Sequence, residues 1–312
     1  MNETRKCSIV IGMCTCNRGS LLDTALEHVA RIDLYGLERF DLSMVVVDNN
    51  PDGVARTTCD RLRGQLPFPL HFVEEHERGA SHARNRVVRE VLERGGDFLA
   101  FLDDDDRVEP DWLSGLVLRQ EESGADIVMG AFIDELPDDP PGTFEARRQR
   151  LLDRDEKPIW NRFGLPNAMA TCNVLISRPV LEKLAATGPA FDTSFRMTLG
   201  EDSDFFMRAR KAGARFARAR LSVIHYRIPP ERTSARARFR HRFRMGKAEA
   251  RLVRLHLDDG QRRRWLGHVG WRFVRSTLFL PIRLVTGGGG LAELIGKAGW
   301  PFGALSAYFR QS

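Results

Sequence analysis

The stretch Phe98-Leu-Ala-Phe-Leu-Asp-Asp-Asp-Asp106 decides the fold, because it joins an apolar run directly to four adjacent carboxylates. An apolar run of this length, bounded by turn-forming residues, predicts a buried strand over 98–102. The acids then emerge at the carboxyl end of a strand, where open α/β sheets bind their ligands. Hard carboxylate oxygens on a short loop suit Mg²⁺ or Mn²⁺ shared with substrate phosphates. The alternative is an acidic turn before a helix at Pro110, since acids are favoured there in any case.

Strands and helices alternate on both sides of this stretch. Strands are predicted over 8–13, 42–47, 70–73, 98–102, 127–132 and 171–177, and helices over 20–31, 53–63, 80–94, 110–122 and 179–186. This alternation predicts an α/β fold with a largely parallel, doubly wound sheet. Residues 134–142, rich in Pro and Asp, are predicted to form a loop.

Polar residues follow three of the predicted strands. They are the runs Cys14-Thr-Cys-Asn-Arg18, Asp48-Asn-Asn50 and Gly79-Ala-Ser-His-Ala-Arg-Asn85. Since the carboxyl ends of parallel strands meet at one edge of a sheet, we expect these runs to converge with Asp103–Asp106 and form a nucleotide pocket. Turn chemistry and helix capping explain each run individually as well.

Six motifs in order carry a family resemblance. They are Thr15-Cys-Asn-Arg18, Val45-Val-Val-Asp-Asn49, Gly79 with Ala83-Arg-Asn85, Phe101-Leu-Asp-x-Asp-Asp106, Thr171-Cys-Asn173, and Gly200-Glu-Asp202 with Arg208. Over residues 7–226 the chain resembles family 2 glycosyltransferases of the GT-A fold, and in particular bacterial enzymes of exopolysaccharide and cell-surface glycan synthesis. The resemblance implies a Rossmann-like catalytic domain over 1–226, followed by a basic helical extension over 227–312.

The resemblance also implies roles for individual residues. Thr15 and Asp48 match positions that hold the nucleotide base, and Arg84 matches one near the base and ribose. Asp103 and Asp105 form the Asp-x-Asp pair, with Asp105 as a metal ligand, and Asp104 is assigned to either the ribose or the metal. The set implied to bind the donor is Thr15, Asn17, Arg18, Asp48, Arg84, Asp103 and Asp104, and the set implied to bind Mn²⁺ or Mg²⁺ is Asp103, Asp105 and His225.

The segment Gly200-Glu-Asp-Ser-Asp204 is the second place where acids cluster. Inverting glycosyl transfer needs a carboxylate that takes the proton from the acceptor hydroxyl, while the leaving diphosphate is neutralised elsewhere. The resemblance implies that Asp202 is this base and that its neighbour Glu201 contacts the acceptor. The same acids also suit the first turn of a helix that continues through Phe205 and Phe206.

Basic residues concentrate after the predicted sheet. From Arg227 to Arg283 there are 16 Lys and Arg against four acids, a balance of +12, whereas the whole chain carries +6. Within this segment an apolar stripe predicts a helix over 234–257; its members are Phe239, Phe243, Gly246, Ala250 and Val253. The basic residues flanking the stripe, Arg236, Arg240, Arg244, Lys247, Arg251 and Arg254, favour phosphate or anionic lipid contact over a merely solvated face. His225, at a strand end just before this segment, is either a ligand of the metal or of the diphosphate, or a structural residue, which a lone His at a strand end more often is.

The last stretch, 265–309, mixes Trp and Phe with Arg on both sides of Gly287–Gly290. This mixture favours a helix in a bilayer interface over a dimer contact or packing on the catalytic domain. Five cysteines without metal-site spacing, and no signal-like apolar segment, predict a cytoplasmic protein held peripherally at the inner face of the cell membrane.

Together the motifs predict an inverting, metal-dependent glycosyltransferase that transfers a sugar from a nucleotide donor, a UDP-sugar, to a saccharide acceptor carried on a lipid. A nucleotidyltransferase is the alternative within the enzyme class, because it also uses paired acids on a parallel sheet. A non-catalytic nucleic-acid-binding protein that uses the basic segment is the alternative from a different class.

Overall fold

The computed structural model describes residues 5–50, 53–136, 138–153, 158–167, 169–195, 198–278 and 291–309. Its strands are β1 (Cys7–Thr15), β2 (Phe40–Asp48), β3 (Leu70–Glu74), β4 (Phe98–Asp103), β5 (Asp106–Val108), β6 (Ile127–Glu135), β7 (Asn173–Ser177) and β8 (Phe216–Arg227). They form one sheet in the order β3-β2-β1-β4-β7-β6-β8-β5. Pairs β1–β2, β1–β4, β2–β3 and β6–β8 are parallel, while β4–β7, β6–β7 and β5–β8 are antiparallel. The predicted α/β class with a mostly parallel sheet is confirmed.

The described helices begin and end close to the predicted positions. They are α1 (Gly19–Val29), α2 (Ala55–Leu62), α3 (Ala80–Glu93), α4 (Trp112–Ser123), α5 (Thr143–Leu152), α6 (Arg178–Ala185), α7 (Glu201–Lys211), α8 (Ala235–His256), α9 (Asp259–Leu278) and α10 (Leu291–Phe309). Every strand and helix predicted over the first 186 residues is present, with ends that differ by at most three residues. The predicted Gly287–Gly290 interruption lies outside the described residues.

Strand β5, helix α5 and the end of strand β6 were not expected from the sequence. Strand β5 is only three residues long and exists because it pairs with β8. Helix α5 buries no residue, so it has no apolar period to read. The predicted loop over 134–142 is wrong at its start, because β6 continues to Glu135 alongside β8. Strand β5 and the end of β6 exist because they pair with β8, and α5 is a solvent-exposed helix. Neither situation leaves a clear apolar pattern in the sequence.

The core lies around the four strands that carry the polar motifs at their ends. Met44 to Val47 of β2 are all fully buried, and so are Leu99 and Ala100 of β4. Strands covered on both faces read as continuous apolar runs, which explains why these segments could be recognised without alternation. Each such side chain contributes about 1.5–3 kcal/mol on burial, so these strands form a rigid base for the loops that follow them.

The described residues cluster into two compact units. One, called the sheet unit here, contains residues 1–159, 167–197 and 208–227; the other, called the helical unit, contains residues 160–166, 198–207 and 228–312. The predicted domain division, 1–226 and 227–312, assigns the two short segments 160–166 and 198–207 to the catalytic domain, and it stays a prediction.

Helices α8 and α10 of the helical unit pack unusually closely through glycines. A Cβ atom added to Gly299 or Gly303 would overlap the backbone carbonyl of Phe239 or Phe243, and one added to Gly246 would overlap the carbonyl of Trp300. The predicted helix over 234–257 is confirmed as α8, and its apolar stripe is buried at Gly246, Ala250 and Val253.

A largely buried carboxylate ties three helices of this unit together. Glu249 of α8 accepts hydrogen bonds from the indole Nε1 of Trp265 on α9, at 2.8 Å, and of Trp300 on α10, at 3.0 Å. Burial raises the pKa of Glu249, and the two indole bonds and Arg272 oppose that rise. Among the helices that the structure describes, none has the length and apolarity to cross a membrane.

Candidate functional site

The register of the sheet aligns the ends of three strands. Thr15 at the end of β1 lies opposite Asp48 at the end of β2, and Cys14 lies opposite Asp103 at the end of β4. These pairings confirm that the polar runs after β1, β2 and β4 converge on one edge of the sheet. This edge is the carboxyl edge, and it belongs wholly to the sheet unit.

Asp104 is the best-connected member of the acid run. Thr15 Oγ1 donates to Asp104 Oδ2 at 2.7 Å, and Arg18 Nη1 donates to Asp104 Oδ1 at 2.9 Å. The same Arg18 nitrogen donates to Asp105 Oδ2 at 3.0 Å. Burial raises the pKa of Asp104, while the bonds from Thr15 and Arg18 oppose the rise. Three of the predicted donor residues, Thr15, Arg18 and Asp104, are thus brought together.

Asp106 is the most deeply buried acid of the run, at 1% exposure. Neither of its carboxylate oxygens has a hydrogen-bond partner among the described residues. Burial and the charges of Asp103, Asp105 and Asp104 raise its pKa to about 9, and the nearby Cys172 thiol offsets this only in part. A carboxylate buried beside three others needs a proton or a cation to be neutralised.

A metal fits this group of side chains. One ligand atom each from Asp103, Asp106 and Cys172 lie within 4.8 Å of one another. The two carboxylates are hard donors of the kind that Mn²⁺ and Mg²⁺ prefer, and the uncompensated Asp106 carboxylate is what a divalent cation would neutralise. Asp103 was predicted as a metal ligand, whereas Asp106 and Cys172 were not. Asp105, the other acid predicted as a metal ligand, forms an ion pair with Arg18.

Both residues that were not predicted belong to motifs already recognised in the sequence. Asp106 belongs to the quoted acid run, and Cys172 belongs to the quoted Thr171-Cys-Asn173 motif. The link between them is antiparallel pairing, which sets Asn173 opposite Leu102 and so places Cys172 beside the end of β4. Without the strand order, the two motifs had no reason to be combined.

The loops after β1, β2 and β3 are joined by side-chain amides. Asn49 donates to the carbonyls of Glu75 and Glu77, and its Oδ1 accepts from the backbone N–H of Gly79 at 2.7 Å. Asn50 bonds to Asn17, which has a positive φ of 57°. These bonds fix the loop that leads into α3, the helix that carries Arg84.

Arg84 lies at the same edge with 9% exposure. Its Nη2 is 3.9 Å from Asp103 Oδ1, and its guanidinium lies 5.9 Å from the centre of the Phe191 ring. Asn85 holds the backbone of Phe191 from both sides, since it donates to the carbonyl at 2.7 Å and accepts from the N–H at 2.8 Å. Arg84 is therefore a fixed cation beside the first acid of the run.

His225 has a different environment from the one predicted. Its Nε2 lies 2.5 Å from Glu109 Oε1, and its ring stacks on Phe144 at 3.7 Å between centroids. Burial lowers the pKa of His225, and Glu109 opposes this. These contacts suit the structural interpretation, and the metal role of His225 stays a prediction.

A small cavity of about 250 Å³ adjoins the acid run within the sheet unit. It is lined by three acids, two arginines and three other residues: Asp105, Asp106, Glu135, Arg107, Arg227, Leu21, Thr24 and Leu136. Arg107 forms an ion pair with Glu135. The mixed charges make the cavity suited to hydroxyl-rich groups rather than to an apolar ligand.

The Gly200–Asp204 acids form the first turn of α7, in the helical unit. Gly200 has a φ of +113°, which a residue with a side chain rarely adopts, and its carbonyl accepts from the N–H of Asp204 at 2.9 Å. Glu201 is 9% exposed, and Asp202 is less buried. The helix start predicted here is confirmed, and acids favour it electrostatically. Their catalytic roles stay predictions.

Comparison with known sequences identifies the family. The model of "Glycosyl transferase family 2" matches residues 10–185, and that of "Glycosyl transferase family group 2" matches residues 98–305. The chain is 33% identical over 265 residues to the succinoglycan biosynthesis protein ExoM of Rhizobium meliloti (strain 1021), covering 85% of this chain and 80% of that protein.

Solved structures share the fold. The mannosyltransferase PcManGT of Pyrobaculum calidifontis, in complex with GDP-Man and Mn²⁺, superposes with a TM-score of 0.62 at 18% identity, covering 98% of this chain and 88% of that one. Residues 1–349 of S. aureus TarS in complex with UDP superpose with a TM-score of 0.53 at 13% identity, covering 96% and 90%. The fold is thus the GT-A fold that the motifs predict, and the chain is a glycosyltransferase that belongs to glycosyl transferase family 2.

Proposed function

We propose that the chain transfers a sugar from a UDP-sugar to a lipid-linked saccharide, with inversion and with a divalent metal, during exopolysaccharide synthesis. The observation that carries the proposal is the alignment of Thr15, Asp48 and Asp103 at the carboxyl edge of the sheet, beside the uncompensated Asp106. Polysaccharide synthesis is supported by the identity to ExoM, which is a succinoglycan biosynthesis protein. The family assignment favours sugar transfer over the nucleotidyltransferase and nucleic-acid-binding alternatives.

The donor's nucleoside is assigned to the residues after β1 and β2. Asp48 and Thr15 hold the base, and Arg84 lies near the base and ribose. Asn17, Arg18 and Asp104 complete the donor set, and the bonds of Arg18 and Thr15 to Asp104 keep that carboxylate fixed. Nucleotide-sugar binding is supported by the solved relatives, which hold GDP-Man, UDP or UDP-GlcNAc.

The donor's diphosphate is assigned to the acid run. Asp103 and Asp105 would hold Mn²⁺ or Mg²⁺, which when bound supplies positive charge to the leaving diphosphate. Asp106 extends this set, because its buried carboxylate is otherwise balanced only by a proton. Arg84, near Asp103, adds a fixed positive charge to the same edge.

The acceptor's proton is assigned to Asp202, with Glu201 as the neighbour that contacts the acceptor. A carboxylate is suited to this step because it can accept the hydroxyl proton as the oxygen attacks the anomeric carbon. Inversion follows from a single displacement, in which the attacking hydroxyl and the leaving diphosphate are on opposite faces of the sugar. The support is the place of Asp202 in the acidic first turn of α7, directly after Glu201.

A donor panel tests the proposal. Purified protein is incubated with UDP-glucose, UDP-galactose, UDP-GlcNAc and GDP-mannose, each with Mn²⁺ or with EDTA, and release of nucleoside diphosphate is measured with and without a lipid-linked saccharide fraction. We expect release from a UDP-sugar that requires Mn²⁺ and increases with acceptor. Release from GDP-mannose alone would contradict the uridine assignment, and equal release in EDTA would contradict the metal.

The membrane face is assigned to the helical unit. Arg236, Arg240, Arg244 and Lys247 are exposed on α8, so the predicted basic face is present at those positions. Arg254 is instead used internally, since it donates to the carbonyl of Ala307 on α10 at 2.7 Å. Among the described residues of the unit, the exposed aromatic ones are Trp271 at 58%, Phe302 at 37% and Phe309 at 72%. Exposed cations and aromatic rings in one unit are the combination that binds an anionic bilayer interface peripherally, here the inner face of the cell membrane.

A further inference from the structure

A buried histidine contacts the helix turn that carries the proposed base. His256 is the last residue of α8, and its Nε2 lies 2.8 Å from Oδ1 of Asp204. The two side chains are 6% and 4% exposed. Both residues belong to the helical unit, and the proposed donor and base assignments use neither of them.

The position of Asp204 within the turn gives this contact its meaning. Asp202 and Asp204 are two residues apart in α7, so their side chains point about 200° apart around the helix. His256 therefore holds the turn from the side opposite to Asp202. The N–H of Asp204 also closes the turn by bonding to the carbonyl of Gly200.

The residues that follow the turn hold it in place by packing. Phe205 and Phe206 are fully buried, with ring centroids 5.5 Å apart, so the helix directly after the turn cannot shift freely. Directly before the turn, Gly200 has a φ of +113°, a conformation that glycine adopts readily. Asp204 lies between Gly200 and these rings. Its carboxylate, through the contact with His256, connects the first turn of α7 to the end of α8.

We propose that His256 is a positioning residue for glycosyl transfer: by holding Asp204, it fixes the first turn of α7 and thereby the direction of the Asp202 carboxylate. This inference rests on the proposed function, in which Asp202 is the base. Because a displacement of about 1 Å can lower a rate by up to ~10²-fold, loss of the contact should reduce turnover without removing any group that touches substrate.

Turnover measurements in a double-variant cycle test the proposal. We expect His256→Ala to lower kcat for transfer about tenfold while the KM for the donor stays unchanged, because the donor residues are on the sheet unit. His256→Gln can present an amide N–H where Nε2 lies, so it should retain most of the rate. In an Asp202→Asn background, His256→Ala should have little further effect, since it acts through Asp202. Full activity of His256→Ala, or an equal tenfold loss in both backgrounds, would overturn the inference.

A second measurement does not depend on activity. Hydrogen exchange of the backbone amides of residues 202–204 should be faster in His256→Ala than in the wild type and should be restored in His256→Gln. The matched control is Glu249→Gln, which weakens another largely buried contact of the same unit and should lower thermal stability without changing kcat or exchange in α7. Unchanged exchange in His256→Ala would overturn the inference even if the wild type showed no transfer. Absence of transfer by the wild type would contradict the proposed function and not the contact.

Discussion

Three largely buried carboxylates, two in the helical unit and one in the sheet unit, have opposite surroundings. In the helical unit, Glu249 accepts two indole hydrogen bonds and Asp204 contacts His256. In the sheet unit, Asp106 is as deeply buried as Asp204 but has no hydrogen-bond partner among the described residues and has three acids beside it.

The contrast separates two uses of a buried acid. A carboxylate whose desolvation is compensated by donors holds helices together, and its removal costs stability. A carboxylate whose desolvation is left uncompensated is a cost to the folded protein unless a ligand supplies the missing charge. Asp106, at the carboxyl edge of the sheet, is therefore prepared for a cation, whereas Glu249 and Asp204 already have partners.

The largest effect should come from removing Asp105, a proposed ligand of the cation. Asp105→Ala should abolish Mn²⁺-dependent binding of UDP and reduce turnover by at least ~10³-fold, because a bound cation contributes several kcal/mol of charge stabilisation. Calorimetry with UDP, in Mn²⁺ and in EDTA, measures the binding. Asp60→Ala, which removes an exposed acid of α2, is the control. If metal-dependent affinity survived in Asp105→Ala, the metal would be assigned to Asp103 and Asp106 alone.

The second effect concerns Asp202, whose carboxylate is the proposed base. Asp202→Asn keeps the shape but cannot accept the acceptor's proton, so transfer should fall by ~10²-fold or more. Donor binding should remain, and stability should fall by no more than about 0.3–1 kcal/mol, since Asp202 is the second residue of α7 and Asn loses only its charge at the helix N-terminus. Transfer rate, UDP affinity and unfolding temperature are measured on the same sample. Normal turnover in this stable variant would leave Asp202 with the helix-start role alone.

The third effect is a dependence of stability on pH. The pKa of Asp106 is raised from 3.8 to about 9, so the folded protein retains a proton there that the unfolded chain releases. Stability from this group is complete below about pH 4 and is lost progressively as pH rises towards 9. In EDTA, Asp106→Asn should therefore raise the unfolding temperature, and the gain should be larger at pH 8 than at pH 5.

Glu249→Gln sharpens this pH comparison. The pKa of Glu249 is also raised by burial, but the indole donors and Arg272 stabilise its charged form. Its variant should gain less between pH 5 and pH 8 than Asp106→Asn does, and Mn²⁺ should stabilise the wild type at pH 8 but not Asp106→Asn. An equal pH response of the two variants would show that Asp106 has a compensating partner in solution.

The smallest effect should be seen at the exposed cations. Arg244→Ala should weaken binding to vesicles of phosphatidylserine and phosphatidylcholine about fivefold, since one basic residue near such a surface is worth about 1 kcal/mol. Arg31→Ala, an exposed cation of the sheet unit, should have no effect. Vesicle sedimentation at low and high salt measures both, because exposed charges are screened beyond ~10 Å at 0.1 M. If the two variants sedimented equally, the proposed role of α8 in membrane binding would be contradicted.

The sequence predicted the strands of the sheet well because they are buried on both faces. Residues 98–102 and 44–47 are uninterrupted apolar runs, and the polar motifs directly after them mark the carboxyl edge. Parallel strands have their carboxyl ends on the same side, so the convergence of Thr15, Asp48 and Asp103 followed from strand order alone. The family resemblance added the roles, which the motifs could not have supplied by themselves.

By itself, then, the sequence determined the α/β class, the positions of the acid runs and the helix over 234–257. Only the tertiary structure decided which acids have partners: Cys172 meets Asp103 and Asp106 through antiparallel pairing, and His256 reaches Asp204 across 52 residues. The physical reason is that periodicity records whether a side chain is buried, since burial repeats along a strand or helix. The atoms that meet a buried carboxylate come from distant segments, and no local pattern records them.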